Sequence, residues 1–135
     1  MAKMMDIKGN FVNVSNIAGI GVQGQKSLWD PNMGDNLNLI WIYYLDGGSF
    51  SFKIHYHFDT PAIIQQIWDV IGKDNKLIRN KYMILNKEVI ANIATHYMDN
   101  CYLECRAEIH TTRGGKMSFD YESDNDIKNL YGQMR

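Results

Sequence analysis

The chain has 135 residues, of which 45% are hydrophobic and 21% charged, and its formal net charge is −1. This length fits one domain, or two very small units that share a core, and the composition is ordinary for a globular protein. The near-neutral charge excludes a general electrostatic attraction to nucleic acid or anionic lipid. No apolar run approaches the roughly 20 residues that span a bilayer, and the first residues lack the apolar stretch of a signal peptide. We therefore expect a cytoplasmic protein.

The first 36 residues predict two short strands and a long loop. Residues 11–14 and 17–22 are rich in β-branched side chains, and a Ser-Asn turn candidate separates them. Residues 23–36 are rich in Gly, Asn, Asp and Pro, which is typical of a loop. Residues 19–24 match the Gly-x-Gly-x-x-Gly pattern of dinucleotide-binding proteins, but no helix pattern follows them. We interpret these glycines as the end of a strand and the start of the loop.

A hairpin follows, with Asp46, Gly47 and Gly48 at its turn. After the turn, apolar side chains alternate with polar ones, which predicts a strand with one buried face. Before the turn, residues 39–45 are apolar on both faces, and such a strand is covered on both sides. The cover would be the long loop, the other half of the chain or a second copy of the protein.

A helix is predicted next, because Asp59 or Thr60 can cap it and Pro61 suits its first position. Its apolar side chains recur at helical spacing and form one stripe. The stripe consists of Ile63, Ile64, Ile67, Trp68 and Ile71.

The same order of elements recurs in the second half of the chain. Residues 82–85 and 90–93 predict strands, and a second hairpin turns at Arg113, Gly114 and Gly115. A second helix follows, capped by Ser123 or Asp124. The apolar stripe of this helix is Ile127, Leu130, Tyr131 and Met134. In the strand before it, Asp120 and Glu122 are predicted on a solvated face.

This recurrence predicts an α+β fold with an internal repeat of strand, strand, hairpin and helix. The two units, residues 1–75 and 76–135, would share one core in a single pseudo-symmetric domain of about eight mostly antiparallel strands and two helices. The alternative is a continuous barrel-like sheet, similar to a pleckstrin-homology domain, that the second helix caps. The layout is similar to that of small β-rich modules in short bacterial and phage proteins, but no motif identifies a family.

The preferred functional hypothesis is a small non-enzymatic interaction protein that binds a protein partner and self-associates. Tyr, Trp and Met are enriched at the centres of interfaces, and this chain has many of them. The predicted partner-binding residues are Trp29, Met33, Trp41, Tyr43 and Tyr44. The Asn-, Ile-, Lys- and Tyr-rich composition is typical of an AT-rich genome and suggests a phage or mobile element, in which case the protein would act in the host cytoplasm.

Two other hypotheses remain. A nucleic-acid-binding module would use basic and aromatic side chains on the hairpin face, although acidic residues lie among them. Its residues would be Lys53, Tyr102, Arg106, Arg113 and Lys116. A metal-dependent enzyme is less favoured, because His55 and His57 share one strand face but no third ligand is evident. Cys101 and Cys105 are predicted to be reduced core residues. We expect no cofactor.

Overall fold

The computed structural model describes residues 3–24, 38–54, 59–97 and 103–134. In these ranges the chain is mixed α+β, as the sequence predicts, with mostly antiparallel strands and two helices. A short 3-10 helix, Lys87–Val89, precedes the eighth strand. The elements in chain order are β1 Met4–Ile7, β2 Asn10–Asn13, β3 Ile17–Gln23, β4 Asn38–Tyr44, β5 Ser49–Ile54, α1 Thr60–Ile71, β6 Leu77–Arg79, β7 Met83–Asn86, β8 Ile90–Tyr97, β9 Cys105–Thr111, β10 Lys116–Tyr121 and α2 Asp124–Gln133.

The strands form three sheets. The large sheet has the order β5-β4-β3-β7-β6, the small sheet β10-β9-β8, and β1 pairs with β2 as an N-terminal hairpin. The described residues thus contain ten strands rather than about eight. The additional strands, β1 and β6, have four and three residues and pair with the predicted strands β2 and β7. Lys8 and Gly9 connect β1 to β2 with φ values of 50° and 85°, the left-handed conformation of a tight hairpin turn.

Helix α1 packs over β3 and β7 of the large sheet. The register places Ile20 of β3 between Ile42 of β4 and Ile84 of β7, and all three side chains are fully buried. The predicted stripe of α1 is buried against the core, with the exception of the half-buried Trp68. The Arg79 guanidinium lies 5.6 Å from the centre of the Trp68 ring. Helical periodicity thus predicted the buried face of α1 correctly.

The opposite face of the large sheet meets the small sheet at two glycines of β3. A Cβ atom at Gly21 would lie 2.5 Å from Cδ1 of Phe119, and one at Gly19 would lie 2.7 Å from Sδ of Met117. Both partners belong to β10, which packs against β3. The Gly-x-Gly pattern therefore lies inside β3 rather than at its end, and it allows β10 to approach the backbone of β3 closely.

The two Gly-Gly turns close with the same backbone hydrogen bonds. Tyr44 N donates to Gly48 O at 2.9 Å, and Thr111 N donates to Gly115 O at 2.9 Å. The glycine before each acceptor has a positive φ, 96° in the first turn and 85° in the second. In each half a two-stranded hairpin, a three-stranded meander and a helix follow one another. The internal repeat of two units, residues 1–75 and 76–135, stays a prediction.

The glycine contact can be tested with Gly21→Ala. The added methyl group would overlap the Phe119 ring, and we expect it to lower the free energy of unfolding by about 3 kcal/mol. Gly19→Ala should cost less, because the flexible end of Met117 can move away. Gly132→Ala is the control, since open space surrounds Gly132 in α2, and it should stabilise by about 0.5–1 kcal/mol. Equal losses at all three sites in chemical denaturation would contradict this account.

Candidate interaction groove

The two Gly-Gly turns lie side by side and enclose a groove of about 430 Å³. Residues 43–49 line it from the first turn, and Thr111, Arg113 and residues 115–117 line it from the second. Ala18 and Val89 complete its walls. Met117 belongs both to this groove and to the contact with Gly19, so the packing of β10 on β3 holds the two turns together.

A side chain of the second turn bonds directly to the first. Arg113 is exposed, and its Nη1 donates a hydrogen bond to the backbone carbonyl of Leu45. This bond uses one of the five N–H groups of a guanidinium. The rest of the Arg113 head lies at the rim of the groove, where a ligand could reach it.

Two tyrosines form the wall on the side of the large sheet. The hydroxyl of Tyr44 donates to Asn13 O at 2.7 Å, and Gln23 Nε2 donates to the hydroxyl of Tyr43 at 3.3 Å. Burial raises the pKa of both phenols, and the charge of Asp46 adds to the effect at Tyr44. Both hydroxyls therefore stay protonated at neutral pH, and their hydrogen bonds fix the rings before any ligand binds.

The rim of the groove carries two positive charges and one negative charge. The carboxylate of Asp46 accepts the backbone N–H of Gly48 at 2.8 Å and so forms part of the turn itself. Lys116 Nζ lies 3.5 Å from Glu108 Oε1, outside the groove. The hydrogen bond from His96, together with Lys116, lowers the pKa of Glu108. Arg113 and Lys116 are both exposed at the rim.

The predicted partner-binding residues fall into three groups. Tyr43 and Tyr44 line the groove. Trp41 lies beside it, half-buried, with its ring stacked on Tyr43 at a centroid distance of 5.7 Å. Its Nε1 is buried, and no hydrogen-bond partner for it occurs among the described residues. Trp29 and Met33 lie outside the described residues.

The predicted nucleic-acid-binding residues are divided by the fold. Arg113 and Lys116 lie at the groove, Lys53 is exposed on β5, and Tyr102 lies outside the described residues. Arg106 instead forms a two-point ion pair with Asp120, Nε to Oδ1 at 2.7 Å and Nη2 to Oδ2 at 3.3 Å. Asp120 therefore balances the charge of Arg106, whereas Arg113 and Lys116 lie at the groove.

The placement of Asp120 corrects the expectation of a solvated strand face. Its side chain is 1% exposed, because Arg106 and the backbone of Gly24 enclose it. Gly24 N donates to Oδ2 at 2.6 Å, and Gly24 O accepts from Arg106 Nη2 at 3.2 Å. Burial raises the pKa of Asp120, while the hydrogen bonds and charge of Arg106 and the N–H of Gly24 oppose that shift. Strand alternation alone did not reveal this burial, because Gly24 and Arg106 cover a strand face that is polar in sequence.

Most residues of the metal-site hypothesis lie outside the residues that the structure describes. His55, His57 and Cys101 are among them, and the described residues contain no group of three His, Cys, Asp or Glu side chains that could hold a metal ion. Cys105 is half-buried, and its Sγ donates to Glu122 O at 3.8 Å. Burial raises the pKa of this thiol, which disfavours the reactive thiolate. Neither helix in the described part of the chain is long and apolar enough to span a membrane.

No protein-family model, curated protein or solved structure matches this chain. Sequence patterns predicted each of the two turns but not that they lie side by side. About 65 residues of chain separate the turns, and only the packing of the sheets brings them together. The shared Gly-Gly motif was the available signal.

The ion pair of Arg106 and Asp120 can be tested with Asp120→Ala. The change leaves Arg106 and the N–H of Gly24 without their buried acceptor, so we expect a loss of about 2–4 kcal/mol in unfolding free energy. Glu88→Ala is the control, because Glu88 is exposed and its Oε2 lies 4.0 Å from Nζ of Lys76. Thermal and denaturant unfolding of both variants measure the difference. A loss at Asp120 no larger than at Glu88 would show that the pair contributes nothing.

Proposed function

We propose that this protein is a non-enzymatic interaction module that binds an acidic segment of a partner protein in the groove. The observation that carries the proposal is the combination, in one groove, of two hydrogen-bonded tyrosines with Arg113 and Lys116. Tyr43 and Tyr44 come from the partner-binding hypothesis and the two cations from the nucleic-acid hypothesis. One site thus unites residues that the sequence suggested for different purposes.

The size and chemistry of the groove suit a peptide side chain or chain end. Binding sites for small ligands enclose roughly 300–1,000 Å³, and the groove volume of about 430 Å³ falls in this range. A guanidinium presents parallel N–H donors that match the two oxygens of a carboxylate. Tyrosine supplies contact area at a small cost in side-chain entropy. Arg113 would therefore bind the carboxylate, and the tyrosines would contact the adjoining apolar part of the segment.

The groove is also organised before binding. Each turn is closed by its own backbone hydrogen bonds, and Arg113 ties the second turn to the first. A ligand would not have to order these groups, so less of its binding energy is lost to conformational entropy.

The charge balance favours a short acidic segment over a nucleic acid. A nucleic-acid strand brings one negative charge per nucleotide, and the groove offers two cations beside Asp46, with Glu108 close to Lys116. The charge of Arg106 is paired with Asp120. One or two carboxylates match this arrangement better than a row of phosphates.

The first test is a titration followed by amide NMR. The probes are short peptides rich in Asp, Glu and Leu, with control peptides in which Asn and Gln replace the acids. We expect the acidic peptides to shift the amide signals of Gly47, Gly48, Gly114 and Gly115, because these glycines form the turns that flank the groove. Gly132, on the exposed part of α2, is the internal control. A single-stranded oligonucleotide that shifts the turn glycines more strongly than the acidic peptides would favour the nucleic-acid function.

The second test reverses the charge of the rim. Arg113→Glu combined with Lys116→Glu should weaken binding of an acidic peptide by at least about tenfold, the effect of losing roughly 1.4 kcal/mol of charge–charge attraction. The same variant should gain affinity for a Lys-rich peptide. Lys128→Glu changes charge on the exposed face of α2 and should leave both affinities unchanged. If Lys128→Glu weakens binding as much, the interaction depends on net charge and the groove proposal fails.

A further inference from the structure

A second cavity shares a wall residue, Leu45, with the groove. Its volume is about 240 Å³, and residues beside the β1–β2 hairpin, at the end of α1 and on β6 and β7 line it. The buried side chains of Val14 and Ile71 form part of its wall, and the exposed Lys3 and Lys76 lie at the same cavity. The second cavity therefore combines apolar surface with positive charge, as the groove does.

The charged residues of the second cavity repeat the arrangement at the groove. Each cavity is lined by two cations and by one aspartate that belongs to a turn. Asp74 Oδ1 accepts the backbone N–H of Lys76 at 3.0 Å, just as Asp46 Oδ1 accepts that of Gly48 at 2.8 Å. Nζ of Lys76 lies 4.0 Å from Oε2 of Glu88, and an exposed pair at this distance contributes little. A carboxylate is therefore the chemistry that suits both cavities.

Hydrogen bonds hold Leu45 in place between the two cavities. Its N–H donates to Asn16 O at 2.8 Å, and its carbonyl accepts from Arg113. Asn16 lines the second cavity, and Arg113 lines the groove. Tyr44 of the groove is also the register partner of Ile17, which lines the second cavity. The two cavities therefore have fixed positions next to each other.

The two lysines of the second cavity project from hydrogen-bonded backbone. Lys3 N donates to Ser15 Oγ at 2.7 Å, and Lys3 O accepts from Val14 N at 2.8 Å. Lys76 O accepts from Lys87 N at 2.8 Å. A ligand would have to order only the two lysine side chains, which limits the entropy cost of binding.

We propose that the acidic segment bound in the groove continues past Leu45 and places a second acidic side chain in the second cavity, within reach of Lys3 and Lys76. This inference rests on the proposed function and adds to it the chemistry of the partner. The partner segment would carry two acidic positions separated by a short spacer, one for each cavity. Joining two contacts in one chain makes the second contact intramolecular, so the joined segment binds more tightly than either part.

The first part of the test compares peptides that can reach one cavity or both. A single-site peptide carries one acidic cluster beside Leu. Two-site peptides add a second acidic cluster after Gly-Ser spacers of increasing length, and their controls carry Asn and Gln in place of the second cluster. At the best spacer length, the two-site peptide should bind wild-type protein at least about tenfold more tightly than its control in calorimetry. It should also shift the amide signals of Ser15, Asn16 and Lys76.

The second part removes the cations of the second cavity. Lys3→Gln combined with Lys76→Gln should abolish the gain of the two-site peptide and leave the affinity of the single-site peptide unchanged. Lys53→Gln combined with Lys128→Gln removes the same charge from exposed residues outside both cavities, and the gain should persist. Circular dichroism establishes that the variants are folded, which is expected because all four side chains are exposed.

The outcomes separate this inference from the proposed function. A gain that is absent at every spacer length overturns the inference, and so does a gain that survives the loss of both Lys3 and Lys76. An equal loss in the variant of Lys53 and Lys128 would show that only net charge matters, which also overturns it. In each of these cases the single-site peptide still binds the groove. If that peptide fails to bind wild-type protein, the proposed function fails and the inference fails with it.

Discussion

The close approach of β10 to β3 is the contact on which the rest of the structure depends. Phe119 occupies the space that a side chain at Gly21 would fill, and Met117 does the same at Gly19. The two sheets therefore meet with a ring lying against backbone. Because β10 begins directly after the second Gly-Gly turn, its position on β3 also determines where that turn lies. The missing Cβ atoms of Gly19 and Gly21 thus allow the contact that holds β10 against β3.

Strand β10 also carries Asp120, which forms an ion pair with Arg106. The ion pair of Arg106 and Asp120 lies at the end of β3, where the backbone N–H of Gly24 donates to the Asp120 carboxylate. Burial alone would favour the neutral form of this carboxyl group, and the contacts with Arg106 and Gly24 oppose that effect. Arg106 is thereby committed to the fold. Arg113 remains at the groove, tied to Leu45 through one of its N–H groups. The basic residues of the second hairpin thus divide between a structural role and an accessible one.

The strand edges show a similar division. Gln133 from α2 and Gln23 from β3 each cap an outer strand with a side-chain amide, which replaces the hydrogen bonds of a missing neighbour. These caps prevent unwanted pairing while they tie each sheet to a different part of the chain. Strand β8 contains no Lys, Arg, Asp or Glu, and no described strand pairs with its outer edge.

The sequence by itself determined the elements whose signals are local. The stripe of α1 from Ile63 to Ile71, the alternation of β5 and both Gly-Gly turns follow from periods of 3.6 and 2 and from the need for positive φ. The α+β class followed from their order. Strands β1 and β6 escaped prediction, and their pairing with β2 and β7 identifies them as strands.

Only the tertiary structure decided the rest. Contacts between residues far apart in the chain decide three features: the burial of Asp120, the close approach of β10 at Gly21, and the position of the two turns side by side. A residue's own neighbours in sequence do not encode which sheet will pack on it.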